Sequence, residues 1–171
     1  MLSISVEEFL VWKKNQLSKG GDQQSFAVLL DCIEGLSTND LILMRMNPKG
    51  NLHLKQNLEF LESIWNEHLL KCCPIQYLCG ITFWRDLKLK VSNKVLIPRS
   101  ETELIVDIVC SLFRKKSEKL FFAELGTGSG AISIALALAY PFSEGVATDI
   151  DQDALEAVSY THLTLPTSPK V

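Results

Sequence analysis

The sequence predicts an α/β protein in three parts: an N-terminal helical bundle, a β-hairpin linker, and the start of a doubly wound parallel sheet. Three observations carry this. Up to about Cys73, apolar residues recur at helical spacing between capping residues and glycines. From Leu87 to Val91 they alternate with lysines, as in a half-exposed strand. At Phe121–Gly130 the run FFAELGTGSG leads from an apolar strand through a glycine-rich turn into an alanine- and leucine-rich helix, and VATD at Val146–Asp149 closes a second strand. A strand–turn–helix–strand unit of this kind builds an open parallel sheet.

Ser5 followed by Glu8 is a capping-box signature opening the first helix, in which Val6, Phe9, Leu10 and Leu17 lie near one face. Gly20-Gly21 ends it. Asp22 opens the second helix, with Phe26, Leu29, Leu30 and Ile33 toward a core and Gly35 as terminator. Ser37–Asp40 starts a third, short helix to about Met46, and Asn47–Gly50 is a turn. A fourth helix is expected from about Leu54 to Lys71, carrying Leu54, Leu58, Leu61, Ile64 and Leu69 at helical spacing. His53 and His68 read as ordinary solvated positions. With no catalytic cluster in it, residues 1–73 read as a packing or docking module.

Pro74 begins a different texture, with P-I-Q-Y-L-C-G and then Phe83-Trp84-Arg85-Asp86. The alternating strand from Leu87 to Val91 is expected to turn at Ser92-Asn93-Lys94 and return along Val95-Leu96-Ile97, placing a β-hairpin in a linker over 74–102. Pro98–Glu103 stops that strand and opens a helix from about Glu103 to Lys115, with Leu104, Ile108, Leu112 and Phe113 as its apolar face. Ser100 or Thr102 reads as its N-cap. The functional alternative is a loop bearing Arg99 and Glu101 at the mouth of a ligand crevice.

The run Leu120–Ala123 reads as a buried strand stopping at Glu124. Glycine then alternates with small hydroxyl residues: Gly126, Thr127, Gly128, Ser129, Gly130. Glycine permits positive φ and lets a ligand press on the backbone. The helix Ala131–Ala139 follows, so the turn is expected to aim free N–H groups and a positive helix end into a crevice. Asp149 ends the next strand, where an acid can accept the two hydroxyls of a ribose. Gly126, Gly128 and Ala131 also satisfy the G-x-G-x-x-G/A pattern of dinucleotide-binding folds, and a bare structural turn is the third reading. Three details favour another nucleoside. Glu124 would repel a pyrophosphate and attract a cationic sulfonium bearing an α-amino group. The G-x-G-x-G spacing opens the turn to a bulkier amino-acid moiety. No Gly-Lys-Ser/Thr follows, which excludes a P-loop.

Composition narrows the remaining classes. The 171 residues are 47% apolar, enough for a real core. A net charge of -3 provides no global attraction to nucleic acid or membranes. Cys32, Cys72, Cys73, Cys79 and Cys110 are odd in number and scattered, Cys72, Cys73 and Cys79 lack the C-x-x-C spacing of a zinc site, and all five read as buried or incidental reduced thiols. No stretch reaches the ~20 apolar residues of a membrane span, and the N-terminus has no apolar signal core. A cytoplasmic protein is expected.

E-L-G-T-G-S-G followed by a ribose-type acid resembles the first two motifs of class I (Rossmann-like) S-adenosylmethionine-dependent methyltransferases. Taken with P-I-Q-Y-L-C-G and V-L-I-P-R-S-E-T-E, in that order, it looks like the HemK-type release factor glutamine methyltransferases, from about residue 5 to 158. The resemblance implies a helical domain that docks on class I peptide chain release factors, a hairpin linker, and a doubly wound catalytic domain using S-adenosyl-L-methionine. The acceptor it implies is the side-chain amide of the glutamine in a Gly-Gly-Gln motif. By position Gly126–Gly130 match the family's cofactor loop, Asp149 its ribose-binding acid, and Ile97–Glu103 the segment over the cofactor. Ser100 stands where the family usually has proline, and Glu124 replaces the commoner aspartate.

The family's Asn-Pro-Pro-Tyr motif, which places the acceptor amide, is absent from the sequence, so no catalytic residue is assigned. Residues 103–158 therefore read as a truncated cofactor-binding domain. A helix is expected from Asp151, capped by Asp151 or Asp153. The threonine-, serine- and proline-rich stretch Ser159–Val171 reads as a foreign tail, or else a natural flexible terminus, and His162 within it is not a candidate base. The chain itself is expected not to methylate a release factor. The alternatives are a non-catalytic release-factor-binding module and a class I methyltransferase acting on another protein or small-molecule nitrogen.

Overall fold

Capping side chains set the helix ends of the first part of the chain. The computed structural model describes residues 2–115, 117 and 119–156, and the chain divides into two compact units at Cys79–Gly80. In the first unit, helix α1 (Val6–Ser18) opens with the Ser5–Glu8 box: the Ser5 hydroxyl accepts from Glu8 N at 3.2 Å, and the Glu8 carboxylate accepts from Ser5 N at 3.1 Å. Helix α2 (Gln23–Glu34) starts on Asp22, which accepts from Ser25 N, and ends at Gly35 in the left-handed region (φ 71). Helix α3 (Thr38–Met46) repeats the box with Ser37 and Asp40. Each of these ends falls where the sequence places it.

The fourth segment differs. Leu54 does not begin a helix. It ends a short strand β2 (Asn51–Leu54) that pairs antiparallel with β1 (Leu2–Ser5), Leu2 opposite Leu54. Leu52 and Leu54 are buried while Asn51 and His53 are exposed, the period of two of a strand. Helix α4 (Leu58–Lys71) begins after Asn57, whose side chain accepts from Phe60 N at 2.8 Å. It is followed by the short α5 (Ile75–Cys79).

Phe9, Phe26, Leu29, Leu30, Leu61 and Trp65 fill the core of this unit. The rings of Phe26 and Trp65 meet edge to face with centroids 4.8 Å apart, and Trp65 Nε1 donates to the Gln16 carbonyl at 3.2 Å. His68 is not a solvated position. It is half-buried, 5.1 Å from the Trp65 ring, with Nδ1 2.7 Å from the Cys73 carbonyl, and so ties down the end of α4.

The second unit opens with the hairpin, in a different register from the one expected. Strands β3 (Ile81–Trp84) and β4 (Leu87–Lys90) pair antiparallel across a tight turn at Arg85-Asp86. Val95–Ile97 is not a strand; Val95 N instead donates to the Ser92 carbonyl at 3.0 Å, closing a turn. The alternation in β4 holds, with Leu87 and Leu89 buried and Lys88 and Lys90 exposed. Ser100–Thr102 forms a 3-10 turn running directly into α6 (Glu103–Leu112), so Thr102 is already helical and neither Ser100 nor Thr102 caps by its side chain. The helix ends at Leu112, short of Lys115.

Strand β5 (Phe121–Leu125), helix α7 (Ala131–Ala139) and strand β6 (Glu144–Thr148) form the expected unit, with β5 and β6 parallel and Ala123 opposite Val146. Trp84, Leu89, Val106, Ile134, Leu136 and Tyr140 build the core, and Tyr140 Oη donates to the Phe113 carbonyl at 2.5 Å. Two burial expectations fail for one reason. Helix α6 turns Val106 inward and leaves Leu104, Ile108 and Leu112 exposed. Strand β5 is not buried throughout, because Phe121 and Ala123 face out while Leu120 and Phe122 join the core. Among the described residues only one side of α6 and of β5 is covered. Residues 152–156 are helical, with Asp151 accepting from Asp153 N at 2.8 Å. The expectations for Ala157–Val171 lie outside the described residues.

Candidate functional site

The strand-to-helix turn is made by backbone geometry that favours glycine. Gly126, Gly128 and Gly130 have φ of 75, 55 and 76, all left-handed. A Cβ at Gly126 or Gly128 would meet no atom within 4 Å, so the space beside both is open to a ligand. Thr127 and Ser129 between them are buried.

The turn spends much of its own hydrogen-bonding capacity. Gly126 N and Thr127 N both donate to the Thr148 carbonyl, at 2.8 and 3.0 Å, which locks the turn to the end of β6. Gly130 N donates to the Thr127 carbonyl at 2.9 Å, and Gly128 N to Asp149 Oδ2 at 2.8 Å. These four donors are therefore engaged rather than displayed, contrary to the expectation of free N–H groups at those positions. A diphosphate would need such donors. A ligand without phosphate does not.

Asp149 is brought against the turn, as the sequence predicts. Its Oδ1 accepts from Asp151 N at 3.0 Å and its Oδ2 from Gly128 N. The Asp151 amide, and after it the Gly128 amide, hold the Asp149 carboxyl below the usual aspartate range. It stands as an oriented carboxylate, suited to accept from paired hydroxyls.

Glu124 has a different posture from the one expected. Its Oε2 accepts from Thr127 Oγ1 at 2.8 Å, from Ser133 N at 3.1 Å and from Ser133 Oγ. It ties the end of β5 to the first turn of α7, and its charge acts on the site from within this clamp. Ser133 was missed by the sequence reading, although a serine at the third helical position is a recognisable signal for such a contact. Arg99 and Glu101 are exposed; the Arg99 carbonyl accepts from Trp84 Nε1 at 2.9 Å, which anchors their loop.

Glu124, the turn Gly126–Gly130 and Asp149 thus form one cluster: two carboxylates beside an open glycine face. Among the described residues no group of His, Cys, Asp and Glu could hold a metal ion, and no helix is long and apolar enough to cross a membrane.

No family model matches the chain. It is similar to the release factor glutamine methyltransferase of Prochlorococcus marinus, 43% identical over 155 residues, covering 88% of this chain and 52% of the relative. The protein of the same name from Gloeobacter violaceus is 34% identical over 145 residues, covering 84% of this chain and 50% of the relative. That from Bacillus anthracis is 36% identical over 162 residues, covering 94% and 56%. The chain spans about half the length of the curated relatives it matches.

Proposed function

Because the chain belongs to the release factor glutamine methyltransferase family, we propose that the longer protein it represents methylates the glutamine side-chain amide in the Gly-Gly-Gln motif of class I peptide chain release factors. The methyl donor is S-adenosyl-L-methionine, held at Gly126–Gly130 and Asp149. The observation that carries this reading is the Gly128 N–Asp149 Oδ2 bond of 2.8 Å beside two glycines with open sides. Bound there, S-adenosylmethionine supplies an electrophilic methyl carbon on a sulfonium.

The residues on this chain bind and orient. Asp149 accepts from the ribose hydroxyls, and Gly126 and Gly128 admit the ligand because a side chain would occupy the open space. Glu124 holds the turn through Thr127 and Ser133, and its carboxylate would favour a cationic donor bound beside the turn. Glu124 and Asp149 together, with the turn's donors engaged, favour a cation over a dinucleotide.

An amide nitrogen is a poor nucleophile, since its lone pair is delocalised. Methylating it takes in-line placement and well-positioned acceptors. Asn-Pro-Pro-Tyr, which does this in the family, is not in the sequence, so this chain is assigned donor binding and no catalytic residue. Residues 1–73 are assigned to release factor docking and 103–158 to the cofactor domain, all in a cytoplasmic setting. The stretch 74–102 is shared between the two units rather than a free linker, since Ile75 joins the core of the first and Trp84, Leu87 and Leu89 that of the second.

The test replaces the matching part of the Prochlorococcus marinus relative with residues 2–156 of this chain and follows labelled methyl transfer to a release factor. Transfer to the glutamine is expected, falling at least ~100-fold in Asp149→Ala with most of the loss in donor affinity. A folded chimera that binds nicotinamide dinucleotide in preference to S-adenosylmethionine would overturn the assignment.

A further inference from the structure

Helix α2 carries two stripes. Phe26, Leu29 and Leu30 are buried in the core, while Gln24, Ala27, Val28 and Asp31 follow one another at i, i+3, i+4 and i+7 along a second face. That face and the first turn of α3, with Thr38 and Asn39, line a groove of about 450 Å³ in the first unit. Ala27 and Val28 are half-buried and pack against the core, which gives the groove an apolar floor. Among the described residues Asp31 is the one charged side chain lining it, and it too is half-buried. The other acids of this helix pair have donors: Asp22 has Ser25, Glu34 the Lys55 and Gln56 amides, and Asp40 has Ser37. Among the described residues no hydrogen bond or ion pair reaches the Asp31 carboxylate. Burial, and after it the charge of Asp40, raises its pKa, as befits a carboxylate with neither donor nor cation beside it.

We propose that this groove takes a protruding lysine or arginine side chain of the protein on which the helical unit docks, with Asp31 as its counter-ion. The inference rests on the reading that residues 1–73 dock on a class I release factor. Both halves of such a side chain find their match. Its methylene stem lies against Ala27 and Val28, and its cationic head meets the carboxylate. Because Asp31 is already partly withdrawn from water and unpaired, the incoming cation gains an ion pair without breaking one. A divalent metal ion is a poorer occupant, since it takes several oxygen ligands and the groove offers one carboxylate. An anionic group would meet Asp31 with no cation on the lining to offset it.

The whole chain is titrated with a purified class I release factor by isothermal calorimetry, beside Asp31→Asn, Asp31→Lys and Glu59→Gln. Glu59 is an exposed acid on α4 and controls for a general loss of negative charge. Asp31→Asn keeps the size of the side chain, and its urea midpoint is expected at or above the parent's, because the charge it removes has no partner in the fold. The dissociation constant is expected to rise about 10-fold in Asp31→Asn and further in Asp31→Lys, and to stay within about 2-fold in Glu59→Gln. Added salt should weaken the parent more than Asp31→Asn. Equal affinity of the parent and both Asp31 variants, or an equal loss in Glu59→Gln, would overturn the groove and leave the docking reading standing. No binding by the parent chain would overturn the docking reading, and the groove with it.

Discussion

Asp149 serves the glycine turn through its charge, and its protonation is therefore readable at Gly128. Its folded-state pKa lies below the ordinary value because the Asp151 and Gly128 amides favour the carboxylate. Such a depressed group lends stability above the unfolded-state pKa of ~3.9, and that contribution disappears as pH falls through the lower folded value. We expect the Gly128 amide resonance to be steady from neutral pH down to about 4.5 and to titrate with a midpoint below ~3.9. Asp149→Asn should abolish that titration. A midpoint at or above the ordinary aspartate value would contradict the 2.8 Å bond. Glu124 poses a related question, since Oε2 alone receives three donors. Glu124→Ala leaves Ser133 N and two hydroxyls without this partner and should cost about 1–3 kcal/mol. Faster hydrogen exchange at Ser133 is the readout, and unchanged protection there would reject the clamp.

Between α1 and α2 the chain has no room for a side chain. A Cβ on Gly21 would lie 2.5 Å from Trp65 Cζ2 and 2.7 Å from Cη2, at φ 79. Trp65 is fully buried and bonded to the Gln16 carbonyl, so the ring cannot simply swing away. Gly21→Ala should lose about 2–4 kcal/mol in urea unfolding followed by tryptophan fluorescence. Gly126→Ala, with open space beside it, should lose only about 1 kcal/mol from its left-handed backbone. Equal costs at the two positions would refute this. The same contrast between local and distant causes decides what the sequence discloses. Helix starts were legible at Ser5, Asp22 and Ser37 because a cap and its partner sit three residues apart. The pairing of β1 with β2 was not, because four-residue strands at Leu2 and Asn51 carry too little period to find each other. The hairpin turn was misplaced for a related reason. Arg85 adopts φ 51 without glycine's freedom, and what accompanies it is distant: its ion pair with Asp107 at 2.9 Å. The cofactor turn was legible as a motif, whereas the engagement of its amides by Thr148 depends on a strand partner.

Among the described residues the two units differ in the size of their connected apolar cluster and in how much apolar side chain they leave exposed, and the difference should appear in how the molecule unfolds. The first unit closes around Phe9, Phe26, Leu29, Leu30, Leu61 and Trp65, all of them fully buried. The second gathers a smaller cluster and leaves Leu104 61%, Phe121 72% and Leu125 84% exposed. Apolar area kept from water stabilises by about 25 cal/mol per Å², so the second unit has the smaller driving force and more surface prone to association. Two transitions are therefore expected in urea when hydrogen exchange is followed by mass spectrometry. Peptides over β5, α7 and β6 should lose protection first, and those over α1, α2 and α4 later. Under the proposed function, S-adenosylmethionine at 100 times its dissociation constant should raise the stability of the first transition by about 2.7 kcal/mol and leave the second unmoved. A single transition shared by both sets of peptides would contradict the independence of the units. Two transitions with the ligand acting on the later one would place the donor in the helical unit and remove it from Asp149.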